Sequence, residues 1–411
     1  MRALLHGDAR RFGTLFAIVY FAQGMVYLPE QVLAIVLKER GFSAGQLAGF
    51  NWIITTPWFI KPVYGLLSDF VPLFGTRRRS YFLLSAALAA GAAFAVSLHP
   101  EAHYGLLVAL VTLLWLGVGF TDVLTDALMV ERGRPRGLTG VFQSVQWAAL
   151  SAASVLVGVA GGYLAERRAV AVTFALVACF PIVSLVMAVA MVREPRSRLD
   201  LEGLGETWAA VRGALGRRDL WLVAGFIFFF FFAPSFGPAF FYYQTDVLGF
   251  SQPFIGALGS VGAAAGVAGA LLYAPLARRL SLRRLLVGLI GVMVAATLAY
   301  LLYVGPVSAV LVTVIFGMVM IASQVGFLDL AAKACPRRAE ATFFALLMSI
   351  SNIGARSGEW VGANLYDLIG YTPLVLISAA VTAAAWLLVP LVPIDAIQLA
   401  AREAEVRRSS G

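Results

Sequence analysis

Apolar residues run along this chain in blocks of about twenty or more, separated by short polar or basic connectors. A helix crossing the hydrocarbon core of a bilayer needs roughly 20 apolar residues. The pattern predicts spans over 12–37, 45–69, 80–98, 104–130, 140–163, 169–192, 220–243, 253–277, 283–303, 306–332, 341–364 and 371–392. Connectors as short as 99–103 make neighbouring helices antiparallel. The fold class is therefore all-α and polytopic, with twelve spans. Arg2, Arg10 and Arg11 precede the first apolar run as in a signal peptide, but the run outlasts a signal core and shows no small-residue cleavage site. It reads as a retained first span.

The basic residues of the connectors alternate. One side carries Arg2, Arg10 and Arg11, then Arg77, Arg78 and Arg79, then Arg132, Arg134 and Arg136. It continues with Arg193, Arg196, Arg198, Arg212, Arg217 and Arg218, then Arg278, Arg279, Arg283 and Arg284, then Lys333, Arg337 and Arg338, and last Arg402, Arg407 and Arg408. The other side holds only Lys38, Arg40, Arg167 and Arg168. The cytoplasm takes the Lys/Arg-rich side, so both termini are expected inside. An odd number of spans breaks the alternation.

The longest interior connector, 193–219, is polar, basic and interrupted by Gly203, Gly205, Gly213 and Gly216. It divides the chain into a six-helix half over 1–192 and another over 220–392, with a cytoplasmic tail over 393–411. Transporters built from two such halves place the solute site between them near the membrane midplane. A faint repeat supports the division: Gly119-Phe120-Thr121-Asp122 near the end of the fourth span matches Gly326-Phe327-Leu328-Asp329 near the end of the tenth.

Composition narrows the function. Hydrophobic residues make up 60% of the chain and charged residues 13%, too little charge to cover a soluble domain of this length. The net charge of +9 sits in connectors, where membrane topology requires it, and implies no nucleic-acid partner. Cys179 and Cys335 suggest neither a disulfide framework nor a metal site. His6, His99 and His103 all lie at the terminus or in a connector. No H-E-x-x-H, phosphate-binding loop or nucleophile elbow occurs. Enzymatic activity, a cofactor and a bound metal are not expected. The simplest energy source is an ion gradient, and the simplest assembly is a monomer in the cell (inner) membrane.

The second span reads Trp58-Phe59-Ile60-Lys61-Pro62-Val63-Tyr64-Gly65-Leu66-Leu67-Ser68-Asp69, followed by Pro72-Leu73-Phe74-Gly75-Thr76-Arg77-Arg78-Arg79-Ser80-Tyr81. It resembles the folate–biopterin transporter family of the major facilitator superfamily, whose pattern here is W-F-x-K-P-x-Y-G-x-x-S-D and P-x-x-G-x-R-R-R-x-Y. The fourth span, from Asp122 through Asp126-Ala127-Leu128 to Glu131, is similar to the family's D-x-x-x-D-A-L-x-V-E, and Ser349 to Gly354 also resembles it. The motifs cover about a tenth of the chain. The resemblance implies two six-helix bundles, alternating access, and a folate- or pterin-like substrate. Related permeases for muropeptides share the span-two proline, an aspartate and the Arg-Arg-Arg connector, and a drug permease or a non-transporting receptor are further alternatives. By resemblance, Gly65, Asp69 and Arg77–Arg79 act in gating.

A charge at membrane depth is costly and usually faces a partner or an aqueous cavity. Asp122 and Asp126, spaced i and i+4, share one helix face. Asp122 lies about 27 Å along its span from residue 104, in the inner half of the membrane. Such a pair suits proton uptake and release, or a bidentate hydrogen bond to the amino-pyrimidinone edge of a pterin. A cytoplasmic latch to Arg77–Arg79 or Arg132 is the competing role. Lys61, about 12 Å from the inner end of its span, lies too deep to snorkel easily. It pairs with Asp122 or Asp126, or holds a substrate carboxylate. Arg356 and Glu359 share a face in the eleventh span with Asn352, where the guanidinium suits a folate glutamate tail or simply pairs with Glu359. Glu30, after Pro29, is either a proton site or an outer-mouth residue. Trp52, Trp58 and Trp147 are candidates to stack on a pterin. Gln23, Asn51, Gln143, Gln146 and Gln324 are expected to form interhelical hydrogen bonds.

Overall fold

A backbone in lipid must satisfy its own polar groups, and here it does so with helices. The computed structural model describes residues 7–133, 137–192, 194–335 and 340–399. Arg2, Arg134, Arg136, Arg193, Arg337, Arg338, Arg402, Arg407 and Arg408, used above for orientation, lie outside the described residues. So does most of the expected tail. Among the described residues there is no β-strand, only an isolated bridge between Leu73 and Thr76. Among the described residues, ten stretches are helical, long and apolar enough to cross a bilayer. The expected spans over 45–69 and 341–364 are not among them, and both carry the polar residues singled out above.

The first expected span is two helices, α1 (Gly7–Met25) and α2 (Pro29–Glu39), joined by a turn at residues 26–28. Pro29, which has no N–H, opens α2. The second expected span is broken more sharply. It consists of α3 (Ala44–Ile54), a 3-10 turn over Thr56–Ile60, and α4 (Lys61–Phe70). Pro57 and Pro62 each open the element that follows. Next come α5 (Arg79–Leu98), α6 (Tyr104–Gly133), α7 (Thr139–Glu166) and α8 (Val170–Met191). The segment 193–219, expected to be a linker, contains a helix, α9 (Leu201–Leu215). Asp200 starts it by accepting a hydrogen bond from the Gly203 N–H at 2.8 Å, an N-cap that the glycine-rich composition obscured.

The chain continues with α10 (Arg218–Phe232), α11 (Gly237–Tyr242), α12 (Gln252–Arg279), α13 (Leu282–Leu298), α14 (Pro306–Ala334), α15 (Glu340–Ile369) and α16 (Tyr371–Leu388). The residues form two compact units. One comprises residues 1–42, 50–205 and 250–260, and the other residues 43–49, 206–249 and 261–411. The first unit therefore takes in the start of α12, and the second takes in the start of α3. Each captured start is tied down by a carboxylate of the unit that holds it. Glu166 accepts from the Gln252 N–H at 3.2 Å in the first unit. Asp367 accepts from the Ala44 and Gly45 N–H groups at 3.2 and 2.8 Å in the second.

Inside the first unit, α1, α5, α6, α7 and α8 pack Phe16, Tyr20, Phe82, Leu124, Phe142 and Ala188 into one core. Gly117 lets α6 lie directly on α5, since a Cβ there would fall 2.3 Å from the Ser85 carbonyl oxygen. In the second unit, Phe230 of α10 stacks on Phe327 of α14 with centroids 4.0 Å apart. The α10–α11 break holds Pro234, and the Ser235 N–H bonds the Gly358 carbonyl of α15 at 3.2 Å. Gly354, Gly358 and Gly362, one turn apart on α15, admit the backbone of this broken helix. Cβ atoms there would fall 2.8, 2.8 and 2.1 Å from the carbonyl oxygens of Phe228, Phe232 and Ser235. Lipid tails are as apolar as leucine, so close backbone approach of this kind, rather than hydrophobic exclusion, holds membrane helices together. Large apolar side chains accordingly face outward, among them Val307, Leu311 and Ile315 along α14.

Candidate functional site

The chemistry of the first unit converges on α6. Asp122 and Asp126 lie one turn apart on it, and three other helices bring partners to them. The break in the second span starts α4 at Lys61, and the Lys61 Nζ reaches Asp122 Oδ2 at 2.5 Å. Gln23 of α1 donates from Nε2 to Asp122 Oδ1 at 2.8 Å. Both carboxylate oxygens are thereby occupied, and Asp122 is only 4% exposed. The Lys61 ammonium also lies 4.6 Å from the ring centre of Trp58, a distance suited to cation–π attraction.

Asp126 is held differently. The Tyr20 hydroxyl of α1 donates to its Oδ1, and Gln146 Nε2 of α7 approaches the same oxygen at 3.3 Å. Both donors are neutral, and among the described residues no cation contacts Asp126. The sequence brought Lys61, Asp122, Asp126, Gln23 and Gln146 forward but missed Tyr20. The available signal was helical phase: Tyr20 and Gln23 are three residues apart, on one face of the same helix.

A second polar cluster sits at the other end of α4. Arg78, 5% exposed, donates to Asp69, to Glu131 Oε1 at 2.8 Å and to Ser68 Oγ at 2.7 Å. The carboxylate of Glu194 accepts from the backbone N–H groups of Arg78 and Arg79 at 2.9 Å, capping the start of α5. Of the expected gating set, Asp69 and Arg78 are therefore joined directly. Arg77 is exposed, and Arg79 adjoins the cluster, its Nε without a hydrogen-bond partner among the described residues. Gly65 faces Val123 of α6 with room for a side chain, because a Cβ would lie 4.0 Å from the nearest atom. Glu131 and Glu194 had no role assigned from sequence. The sequence alternative that latched Asp122 or Asp126 to the arginine connector is not the arrangement seen: Asp122 takes Lys61, and Arg78 takes Asp69 and Glu131.

In the second unit, Arg356 pairs with Glu359 at 2.7 Å, and Asn352 lies one turn away on the same helix, half-buried. The Glu359 stem rests against Gly237, where a Cβ would come within 3.0 Å of it. Asp329, the repeat partner of Asp122, pairs with Lys333 at 2.6 Å and accepts from the Tyr273 hydroxyl at 3.3 Å. Glu30 is exposed in the first turn of α2. Of the three tryptophans, Trp58 adjoins the charge cluster, whereas Trp52 and Trp147 are 36% and 50% exposed.

Known proteins share this architecture. The nucleoside transporter NupG superposes with a TM-score of 0.70 at 11% identity, covering 94% of this chain and 98% of its own. A D-xylose–proton symporter gives 0.69 at 13%, covering 93% and 96%. At such identities the likeness speaks for the fold, which is that of the major facilitator transporters. In sequence, a folate-biopterin transporter of Synechocystis is 32% identical over 374 residues, spanning 86% of this chain and 74% of its own. A probable folate-biopterin transporter 4 of Arabidopsis thaliana is 25% identical, spanning 87% and 88%. A folate transporter 1 of Plasmodium falciparum is 20% identical, spanning 85% and 71%. Residues 21–389 match the BT1 family as a whole, and this polytopic membrane transporter belongs to that family.

Proposed function

We propose that the chain carries folate- or pterin-like organic anions across the cell membrane by proton-coupled alternating access between two six-helix bundles, 1–192 and 220–392. Twelve spans with both termini cytoplasmic, and a monomer as the working unit, complete the proposal. The observation that carries it is the Lys61–Asp122 pair in the membrane with a second carboxylate, Asp126, one turn away. The relatives named for folate and biopterin favour the substrate class.

The physical logic starts from desolvation. A buried ion pair is stable only while both partners remain, because removing one strands an uncompensated charge. A substrate anion therefore competes for Lys61 only if the carboxylate charge around it falls, and taking up a proton lowers that charge. Protonation then favours the arrangement that holds substrate. Trp58, already beside Lys61, offers a face for the pterin ring. Arg356, drawn from Glu359, grips a tail carboxylate bidentately, with Asn352 alongside. Asp69, Arg78 and Glu131 act as a gate latch, and Glu30 serves at the mouth.

The test is uptake of labelled folate and biopterin by liposomes holding the purified protein, with and without an imposed pH gradient. Gradient-stimulated uptake is expected. A correctly inserted preparation that takes up neither compound would remove the substrate assignment and call for a broad screen of polar organic solutes, muropeptides and drugs included.

A further inference from the structure

The two carboxylates of α6 have unequal surroundings, and the difference assigns them different tasks. Asp122 has a cation on one oxygen and an amide donor on the other. A proton added to Asp122 would have to displace the Lys61 ammonium, 17% exposed in its side chain, or the Gln23 amide from the oxygen it occupies. Asp126 has two neutral donors, Tyr20 and Gln146, both on Oδ1. Among the described residues its Oδ2 takes no hydrogen bond. That oxygen is where a proton can be added with no ion pair broken.

We propose that Asp126 is the carboxylate that takes up and releases the proton, and that Tyr20 and Gln146 are positioning residues that hold it for this. The inference rests on the proton-coupled reading above and deepens it. Among the described residues, the titratable and charged groups acting on Asp126 are Asp122 on its own helix, Lys61 from α4 and Tyr20 from α1, with the neutral Gln146 from α7. With Lys61 and Asp122 both charged, the group of three carries one net negative charge when Asp126 is ionised and none when it is protonated. A proton from water on Asp126 Oδ2 turns a site that repels anions into one that tolerates them. Releasing the proton to the opposite side restores the repulsion and expels the anion. One proton per anion follows from this balance. Tyr20 and Gln146 stabilise the anion more than the acid, because a hydrogen bond to a charged acceptor is the stronger. They thereby set the pH at which the exchange occurs.

The experiment is an infrared difference titration of the purified full-length protein, following the carbonyl stretch of a protonated carboxyl group as pH is lowered. Wild type should show a titrating band that Asp126→Asn abolishes. The double variant Lys61→Met/Asp122→Leu, which removes the ion pair as a unit, should keep it. Tyr20→Phe removes a donor to the anion, so the band should survive with its midpoint moved toward alkaline pH, by on the order of one unit. Gln146→Leu should move it the same way by less, and provides a second measure if the Tyr20 variant does not fold. A band that persists in Asp126→Asn, is absent from wild type, or keeps its midpoint in both positioning variants would overturn the inference. No substrate enters this measurement. A protein that titrates as described yet transports no folate would refute the substrate assignment and leave the proton site standing.

Discussion

Replacing one partner of the Lys61–Asp122 pair tests whether the pair is the electrostatic centre of the first unit. The Asp122 side chain is 6% exposed and that of Lys61 17%, so solvent screens the interaction little. Breaking such a pair by removing one member costs about 3–5 kcal/mol, because the survivor is a buried charge with no partner. Asp122→Leu and Lys61→Met should each lose about 3 kcal/mol in equilibrium unfolding from mixed detergent micelles. The double variant exchanges two charges for two apolar groups and should return to within about 1 kcal/mol of wild type. The residual cost is the Gln23 amide, which loses its acceptor on Asp122. The cycle then gives a coupling of about 5 kcal/mol. All three variants should be inactive in uptake, since the charges that restore stability when deleted together are the ones the proposed transport cycle uses. A double variant as unstable as the singles, or an Asp122→Leu variant as stable as wild type, would show that the pair does not hold the unit as described.

Arg78→Lys should not rescue what Arg78→Ala loses, because one ammonium cannot replace a guanidinium fork shared by Ser68, Asp69 and Glu131; unfolding of both variants against wild type decides it, with a loss of about 2 kcal/mol or more expected for each. Gly358→Ala puts a Cβ 2.8 Å from the Phe232 carbonyl oxygen and 2.9 Å from that of Ala233, and should cost about 1–3 kcal/mol. Gly225→Ala in α10, with nothing within 4 Å, should be tolerated in the same unfolding assay. Arg356→Gln should raise the KM for folate by about ten-fold or more while leaving that for biopterin nearly unchanged, if Arg356 holds the tail carboxylate that biopterin lacks. Asp329→Asn should leave the pH dependence of uptake as in wild type, in contrast to Asp126→Asn, since Asp329 is balanced by Lys333 on its own helix.

Ten of the expected spans were legible because lipid demands one thing, a long apolar run, and sequence states it directly. The two that fail that criterion are the informative ones. In residues 45–69, Pro57 and Pro62 divide the run into short helices, and the break starts α4 with Lys61 in line with Asp122. Periodicity counted the apolar residues correctly but could not say that the backbone turns there. In α15, Arg356, Glu359 and the glycine stripe dilute an otherwise sufficient length. The charge pairs were half visible. Depth and spacing offered Lys61 a pair with Asp122 or Asp126, and Arg356 a pair with Glu359, each beside a substrate role; the pairs seen are Lys61 with Asp122 and Arg356 with Glu359. Tyr20 reaches Asp126 from 106 positions away and Glu194 reaches the Arg78 backbone from 116 away, and neither residue carries a local mark of its role. The helix α9 went unread because its cap, Asp200, lies in a stretch whose glycines suggested only a linker.

The internal repeat sharpens the contrast between the two halves. Asp122 and Asp329 occupy matching positions, but the residue one turn later is Asp126 in the first half and Lys333 in the second. In α14 the aspartate is neutralised along its own helix, by a pair that no movement of one helix against another can separate. In α6 a second acid stands where that lysine would be, and the neutralising charge must come from α4. The charge balance of the first half thus depends on a contact between helices, whereas that of the second does not. Where charge and helix position depend on each other, a proton can move helices and moving helices can displace a proton. The proposed coupling of a proton to helix movement therefore belongs to the α6 side of the repeat.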